Sequence, residues 1–302
     1  MTPDWLANER LDDEAASAPL VVAEFDLQLP GGDTLRAYDT GGSADPLLTV
    51  FWHHGTPNLG TPPAPLFEAA RRLGIRWVSY DRPGYGGSTA RPGRSIATAA
   101  EYVAALADSL GIQRFGVMGH SGGGPHALAC AALLGERVVG AVSVSGPAPF
   151  GVEGLDWFGG MADLTRASLE AATAGRAVKT AYEESAPEGD LGFVAADHAA
   201  FEGEWGWFGS VVGPALAAGP AALIDDDLAT VSPWGFDPAD IGVPVLVLHG
   251  ESDRLIPCTH GEWLAARCPS AELRVGPGDG HISVLRSGPA ALEWLRRQAD
   301  GS

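Results

Sequence analysis

Gly119-His120-Ser121-Gly122-Gly123 has the G-x-S-x-G spacing and sits between two segments of opposite character. Before it, Arg114 to Met118 (RFGVM) is a short apolar run bounded by glycine, which reads as a buried strand. After it, Pro125 to Leu134 (PHALACAALL) is rich in Ala and Leu with proline in the first turn, which reads as a buried helix. A serine on so sharp a strand-to-helix turn is held in a strained backbone conformation, with its hydroxyl pushed out at the carboxyl end of the sheet. The flanking glycines follow from the same geometry, because a side chain at 119 or 123 would collide with the neighbouring strand and helix. Ser121 is therefore the candidate nucleophile.

A serine hydroxyl is weakly nucleophilic at neutral pH and needs a base, which in turn needs an orienting carboxylate. With this kind of turn the order along the chain is Ser, then Asp or Glu, then His. Pro244 to His249 (PVLVLH) is the most strand-like run of the C-terminal half, and Gly250-Glu251-Ser252-Asp253 follows it. Asp253 is the candidate acid, with Glu251 as second choice. The next apolar run, Ala271 to Val275, leads into Gly276-Pro277-Gly278-Asp279-Gly280-His281, a glycine-rich loop ahead of a helical stretch from Ser283 to Ala299. His281 is the candidate base, since none of the other histidines follows a late strand in such a loop. Taken alone, Asp253 reads equally as a turn aspartate and His281 also as a helix N-terminal residue; the three in this order point to catalysis.

The tetrahedral intermediate of acyl transfer needs two N–H donors. One is the amide of the residue after the nucleophile, Gly122. The other is expected from the loop after the third strand, Leu47 to Trp52 (LLTVFW), which continues as His53-His54-Gly55-Thr56-Pro57. The amide of Thr56 is the choice, because Gly55 permits close approach of the backbone and Pro57 stiffens the turn.

These stretches together resemble the α/β-hydrolase superfamily over about residues 20 to 300: HHGTP at 53–57, DRPGYGGS at 81–88, GHSGG at 119–123, HGESDRLIP at 249–257 and GDGH at 278–281. The resemblance implies the same roles: Ser121 as nucleophile, Asp253 as acid, His281 as base and the Thr56 and Gly122 amides as oxyanion hole. It also implies that DRPGYGGS is a structural turn packed near the site. Epoxide hydrolases and haloalkane dehalogenases of this fold carry Asp where this chain has Ser121. Proline iminopeptidases resemble the layout but carry HGGPG where this chain has HHGTP, and carbon–carbon bond hydrolases tend toward HGSGPG. The esterase, lactonase and thioesterase group remains.

The fold expected is α/β, a mostly parallel eight-stranded sheet with helices on both faces. An antiparallel hairpin, Val21 to Leu29 and Thr34 to Asp39, forms one edge. Repeated βα units build the rest, and ligands of such sheets bind at the carboxyl ends of the strands. Residues 1–19 read as an acidic lead-in; residues 20–149 and 234–302 form the core. Residues 150–233 lack strand signals and read as a helical cap inserted after strand six. Among the aromatics of the cap, Trp205, Trp207 and Phe208 are expected to face substrate, although packing of the cap explains most such residues.

Composition narrows the setting. No apolar run of this 302-residue chain approaches the roughly 18 residues of a spanning helix, and the N-terminus lacks the features of a signal peptide. A cytoplasmic location is expected. The formal net charge of −19 disfavours nucleic acid and anionic membranes as partners. Three cysteines, Cys130, Cys258 and Cys268, have no metal-ligand spacing and are read as reduced. No metal or cofactor is expected; a small molecule is the substrate and a homodimer the one assembly considered. Lys179, the single lysine, has no catalytic context.

The leading expectation is a serine hydrolase for a small or medium apolar ester or lactone. One alternative is an aminopeptidase like the proline iminopeptidases, with Glu183, Glu184, Glu202 and Glu204 available for a substrate ammonium; solvated helix surface is the plainer reading of these acids. A thioesterase and a ligand receptor of low turnover are the others.

Overall fold

The computed structural model describes residues 20–41, 46–185 and 188–301. The lead-in expected over residues 1–19 lies outside them.

Eight strands form one sheet: β1 (Ala23–Gln28), β2 (Thr34–Asp39), β3 (Leu48–His53), β4 (Ile75–Tyr80), β5 (Phe115–His120), β6 (Val138–Val144), β7 (Val245–Gly250) and β8 (Ala271–Gly276). Their spatial order is β1-β2-β4-β3-β5-β6-β7-β8. Strand β2 runs antiparallel to both of its neighbours, and every other pair is parallel. The antiparallel hairpin thus lies at one edge, as its alternating residues and Pro30-Gly31-Gly32-Asp33 turn indicate.

Helices α1 (Phe67–Arg72), α2 (Thr98–Ser109) and α3 (Gly123–Leu133) connect the strands up to β6. Helices α4 (Asp163–Thr173), α5 (Arg176–Glu184), α6 (Ala195–Glu202), α7 (Gly209–Ala215) and α8 (Ala221–Thr230) fill the long segment between β6 and β7, which has no strand among its described residues. Helices α9 (Cys258–Arg267) and α10 (Gly288–Asp300) complete the chain.

The central strands are apolar on both faces because helices cover both. Phe51, Val117, Ala141, Val245 and Val247 point to one side, against Val103 and Leu106 of α2, Leu128 of α3 and Leu264 of α9. Their sequence neighbours Trp52, Met118, Val142, Leu246 and Leu248 point to the other side, against Ala69 of α1 and Leu292 and Leu295 of α10. This is the two-residue period of a strand, with no solvated face left for polar residues.

Several element ends shift by one or two residues from the sequence reading, and two differences bear on the site. Strand β5 continues past Met118, because Gly119 and His120 still pair with Ser143 and Val144 of β6. The stretch after His281 is a short 3₁₀ turn, Ser283–Ser287, followed by α10. Pro289, which has no N–H to donate to the preceding turn, opens a new helix there. No described helix is long and apolar enough to cross a membrane.

Candidate active site

Ser121 follows the last residue of β5 and has φ +56°, the left-handed region, outside the common range for a residue with a side chain. Holding it there costs on the order of 1–3 kcal/mol. Two bonds fix the turn: Ser121 N–H donates to Val144 O at 2.8 Å, and Gly124 N–H donates to Ser121 O at 2.9 Å. A side chain at 119 would run into the backbone of Gly123, and one at 123 into the carbonyl groups of His53 and His54. The two glycines therefore let β5, α3 and the loop after β3 converge. Gly123→Ala is expected to destabilise the fold by about 3 kcal/mol, as overpacking against rigid backbone does; denaturant unfolding measures it.

His281 and Asp253 come from the loops after β8 and β7 and meet, with His281 Nδ1 2.8 Å from Asp253 Oδ2. Both are buried. The other carboxylate oxygen, Oδ1, accepts from the Leu255 and Ile256 amides, each at 2.9 Å. Burial works against the ionised Asp253, but the charge and hydrogen bond of His281 outweigh it and hold the carboxyl below its usual range. An ionised Oδ2 accepts only from a protonated Nδ1, so when the ring is neutral its one proton sits there and the Nε2 lone pair is open. Glu251, the second choice for the acid, is exposed and instead accepts from the Gly278 amide at 3.0 Å.

The loop carrying His281 is held on both sides of that residue. His120 Nε2 donates to His281 O at 2.9 Å, and burial keeps the His120 ring neutral by lowering it to about 3. Asp197 of α6, itself buried, accepts from the His281 amide at 3.2 Å and from the Ile282 and Ser283 amides at 2.8 Å each.

The His53–Pro57 loop abuts the Ser121 turn: a Cβ placed on Gly55 would lie 3.5 Å from that of Ser121, and one on Gly122 3.7 Å from the Thr56 nitrogen. The Thr56–Pro57 peptide is cis. Arg82, from the DRPGYGGS turn, donates through Nη1 to His54 O and through Nη2 to Gly55 O at 2.9 Å and Thr56 Oγ1 at 2.9 Å. Asp226 of α8 receives Arg82 Nη2 at 2.6 Å, Arg94 Nη2 at 2.6 Å, Tyr85 Oη at 2.9 Å and Thr56 Oγ1 at 2.8 Å. Burial alone would raise the Asp226 carboxyl, yet the two guanidinium groups hold it well below the usual carboxylate range.

A cavity of about 660 Å³ opens over Ser121, bounded by Thr56, Pro57 and Gly122 on the sheet side. Much of its wall is apolar and comes from the helical segment, including Leu164, Leu169, Val212, Leu216 and Leu223. One part of the wall is polar, with Ser168, Tyr182, Glu183 and Asp227. There the buried Lys179 ammonium lies between Glu183 Oε1 at 2.5 Å and Asp227 Oδ2 at 2.6 Å. Burial pushes the Asp227 carboxyl up to about 6, against the pull of Lys179.

Trp205, Trp207 and Phe208 do not line this cavity. Trp205 and Phe208 are buried among the apolar side chains on the β5–β7 face of the sheet, and Trp207 packs against that cluster. The Phe208 ring lies 5.6 Å from that of His120, beneath the site. Cys130, Cys258 and Cys268 are all free thiols. Among the described residues, no group of His, Cys, Asp and Glu side chains is arranged to hold a metal ion.

The sequence profile described as alpha/beta hydrolase fold matches residues 49–287. The chain belongs to this family. A protein of Caulobacter sp. (strain K31), provisionally named the carbamate hydrolase RutD, is 30% identical over 252 residues. That match covers 80% of this chain and 86% of the relative. Among solved structures, a thermophilic esterase from Thermogutta terrifontis superposes with a TM-score of 0.65 at 22% identity, covering 92% of this chain and 99% of that one. The enol-lactonase from Burkholderia xenovorans LB400 superposes with a TM-score of 0.68 at 19% identity, covering 91% and 99%. At such identities the two structures speak for the fold. The protein is accordingly a hydrolase of the α/β-hydrolase family.

Within this α/β-hydrolase site, sequence reading passed over Arg82, Arg94, Asp197 and Asp226. Arg82 stands inside the DRPGYGGS motif, so its place near the site was readable. The two aspartates belong to helices of the long segment, and no spacing ties them to residues 84 to 170 positions away in the chain.

Proposed function

We propose that the protein hydrolyses small or medium apolar carboxylic esters or lactones through an acyl-enzyme on Ser121. The observation that carries this reading is the buried His281–Asp253 pair at 2.8 Å, with Ser121 at the floor of a largely apolar cavity. Ser121 Oγ attacks the substrate carbonyl, and His281 Nε2 accepts its proton. Asp253 holds the imidazole with Nδ1 protonated and stabilises the imidazolium that forms. The Thr56 and Gly122 amides receive the charge on the tetrahedral oxygen. His281 then returns the proton to the leaving alcohol, and water, activated by the same ring, releases the acid.

Leucine and valine side chains around the cavity favour an uncharged hydrocarbon acyl group. The experiment is a panel of p-nitrophenyl esters of rising chain length, joined by lactones, aryl carbamates and proline p-nitroanilide, with Ser121→Ala as control. Carbamates belong in it because of the name given to the Caulobacter relative. Ser121-dependent ester turnover with a length optimum is expected. Absence of turnover on every ester, lactone and carbamate would refute the reading.

One observation favours a second reading. Of the acids Glu183, Glu184, Glu202 and Glu204, Glu183 borders the cavity, and Asp227 joins it there. Two carboxylates against the single ammonium of Lys179 leave this wall with excess negative charge, suited to an amine-bearing substrate of the aminopeptidase type. Cleavage of the proline anilide in preference to every ester would select it.

A further inference from the structure

Asp197 and Asp226 come from the helices between β6 and β7, yet their carboxylates are spent on the loops that carry the proposed base and oxyanion donor. Both are buried, with exposures of 0% and 1%. Neither borders the cavity over Ser121. Whatever they do for the reaction, they do through other groups.

Asp226 is linked to the Thr56 amide by peptide geometry. The Gly55 carbonyl and the Thr56 N–H belong to one planar peptide unit and point in opposite directions. Fixing the carbonyl therefore aims the N–H. Gly55 O accepts from two donors, Arg82 Nη2 at 2.9 Å and His54 Nδ1 at 2.8 Å. The His54 ring has its proton on Nδ1 because Nε2 accepts from the Arg82 amide at 3.0 Å. Arg82 is held in turn by Asp226, through Nε at 3.0 Å and Nη2 at 2.6 Å. The Thr56 hydroxyl closes the circuit by donating to the same carboxylate at 2.8 Å. Without Asp226 the Arg82 guanidinium would be buried beside Arg94 with no carboxylate between them, and it could not keep this position.

Asp197 is linked to His281 just as directly. Its two oxygens take the N–H groups of three successive residues, 281 to 283. With His120 on the His281 carbonyl, both peptide units flanking the base are anchored. A carboxylate that caps three amides sets the direction in which the imidazole leaves the backbone.

We infer that Asp226 and Asp197 are positioning residues: Asp226 aims the Thr56 amide at the oxyanion through Arg82, and Asp197 sets the backbone from which His281 reaches Ser121. The helical segment on this account helps to align the site as well as supplying much of the cavity wall. The inference rests on the roles proposed above for Ser121, His281 and Thr56.

The plainer role for both groups is to fasten the segment to the body, and kinetics separates the two. Asp226→Asn and Asp197→Asn are purified with Thr56→Val, which removes the hydroxyl bonded to Asp226 and Arg82 and leaves both of those side chains in place. Each is tested for cooperative melting, for kcat and KM on the best ester, and for affinity toward a trifluoromethyl ketone, which forms a tetrahedral adduct. Expected is a fall in kcat of about tenfold to a hundredfold, since a displacement near 1 Å or a misaimed oxyanion donor costs that much or more. KM should stay within about twofold. Ketone affinity should fall with kcat in Asp226→Asn and Thr56→Val. If Asp226→Asn does not fold, Thr56→Val carries the oxyanion half by the same readouts. Folded variants with unchanged kcat and only a lower melting temperature would overturn the inference. A wild-type protein without Ser121-dependent turnover would instead defeat the site reading. In that event the crystal structure of Asp226→Asn decides: a rotated Gly55–Thr56 peptide supports the linkage, and an unmoved one overturns it.

Discussion

Ser121→Ala is expected to lower kcat by about four to six orders of magnitude, with KM little changed and the fold intact. The size of the effect follows from what else the cavity holds. Its other hydroxyl groups include Thr56, whose Oγ1 is committed to Asp226 and Arg82, and Ser168, which accepts from Lys179 at 2.5 Å. Neither stands on the β5–α3 turn, beside the Gly122 and Thr56 amides proposed as oxyanion donors. Residual turnover, if any, would come from water attacking a carbonyl polarised by those amides. Stability should hardly change, because alanine at φ +56° is no more strained than serine. The check is steady-state kinetics beside thermal melts. His281→Ala should be comparably damaging, since an alkoxide cannot form at neutral pH without the base.

Asp253→Asn is the second large effect, a loss of about four orders of magnitude in kcat with the geometry kept. The asparagine carbonyl must stay where Oδ1 now accepts from Leu255 and Ile256, or two amides lose their acceptor. Its NH₂ then faces His281 Nδ1, which has to become an acceptor. The imidazole proton moves to Nε2, the nitrogen that should take the proton of Ser121. His249 cannot replace the lost carboxylate. Its Nε2 lies 3.6 Å from Asp253 Oδ2 and donates to Ile256 O at 2.7 Å, and burial lowers its tendency to protonate. Activity should recover in part as pH rises only if another group supplies the base. A pH–rate profile that leaves Asp253→Asn near wild type at neutral pH would show that the acid lies elsewhere.

The strands were legible because both faces of the sheet are covered, so apolar runs such as Val245 to Leu248 announce themselves. The turn at Ser121 was legible for a related reason. Glycine at 119 and 123 is required wherever β5, α3 and the His53 loop come within contact, and that requirement is written in the residues themselves. Asp253 and His281 could be placed after the two late strands by chain order, and the structure brings their side chains together.

The long helical segment was harder. Aromatic residues such as Trp205 and Phe208 announce burial but not the surface they are buried against. They pack into the sheet-side core rather than along the cavity, whose apolar wall includes leucine and valine from α4, α7 and their neighbours. Acidic residues are harder still. In Ala221–Thr230, the run Asp225-Asp226-Asp227 looks like a solvated helix face, yet its members have separate fates. Asp225 pairs with Arg176, Asp226 is buried against Arg82 and Arg94, and Asp227 pairs with Lys179 at the cavity wall. Their partners lie in distant parts of the chain, and only the closed fold brings them together. Lys179, without context in the sequence, is in the structure the ammonium that allows Glu183 and Asp227 to approach each other.

The most direct test of the central claim is to quench a reaction with p-nitrophenyl butyrate in acid within the first turnover and map the protein by mass spectrometry. A butyryl increment is expected on the peptide containing Ser121, absent from Ser121→Ala and accumulating in step with the first release of p-nitrophenol. Ester hydrolysis at the wild-type rate in Ser121→Ala, or an acyl group mapped to another residue, would contradict it.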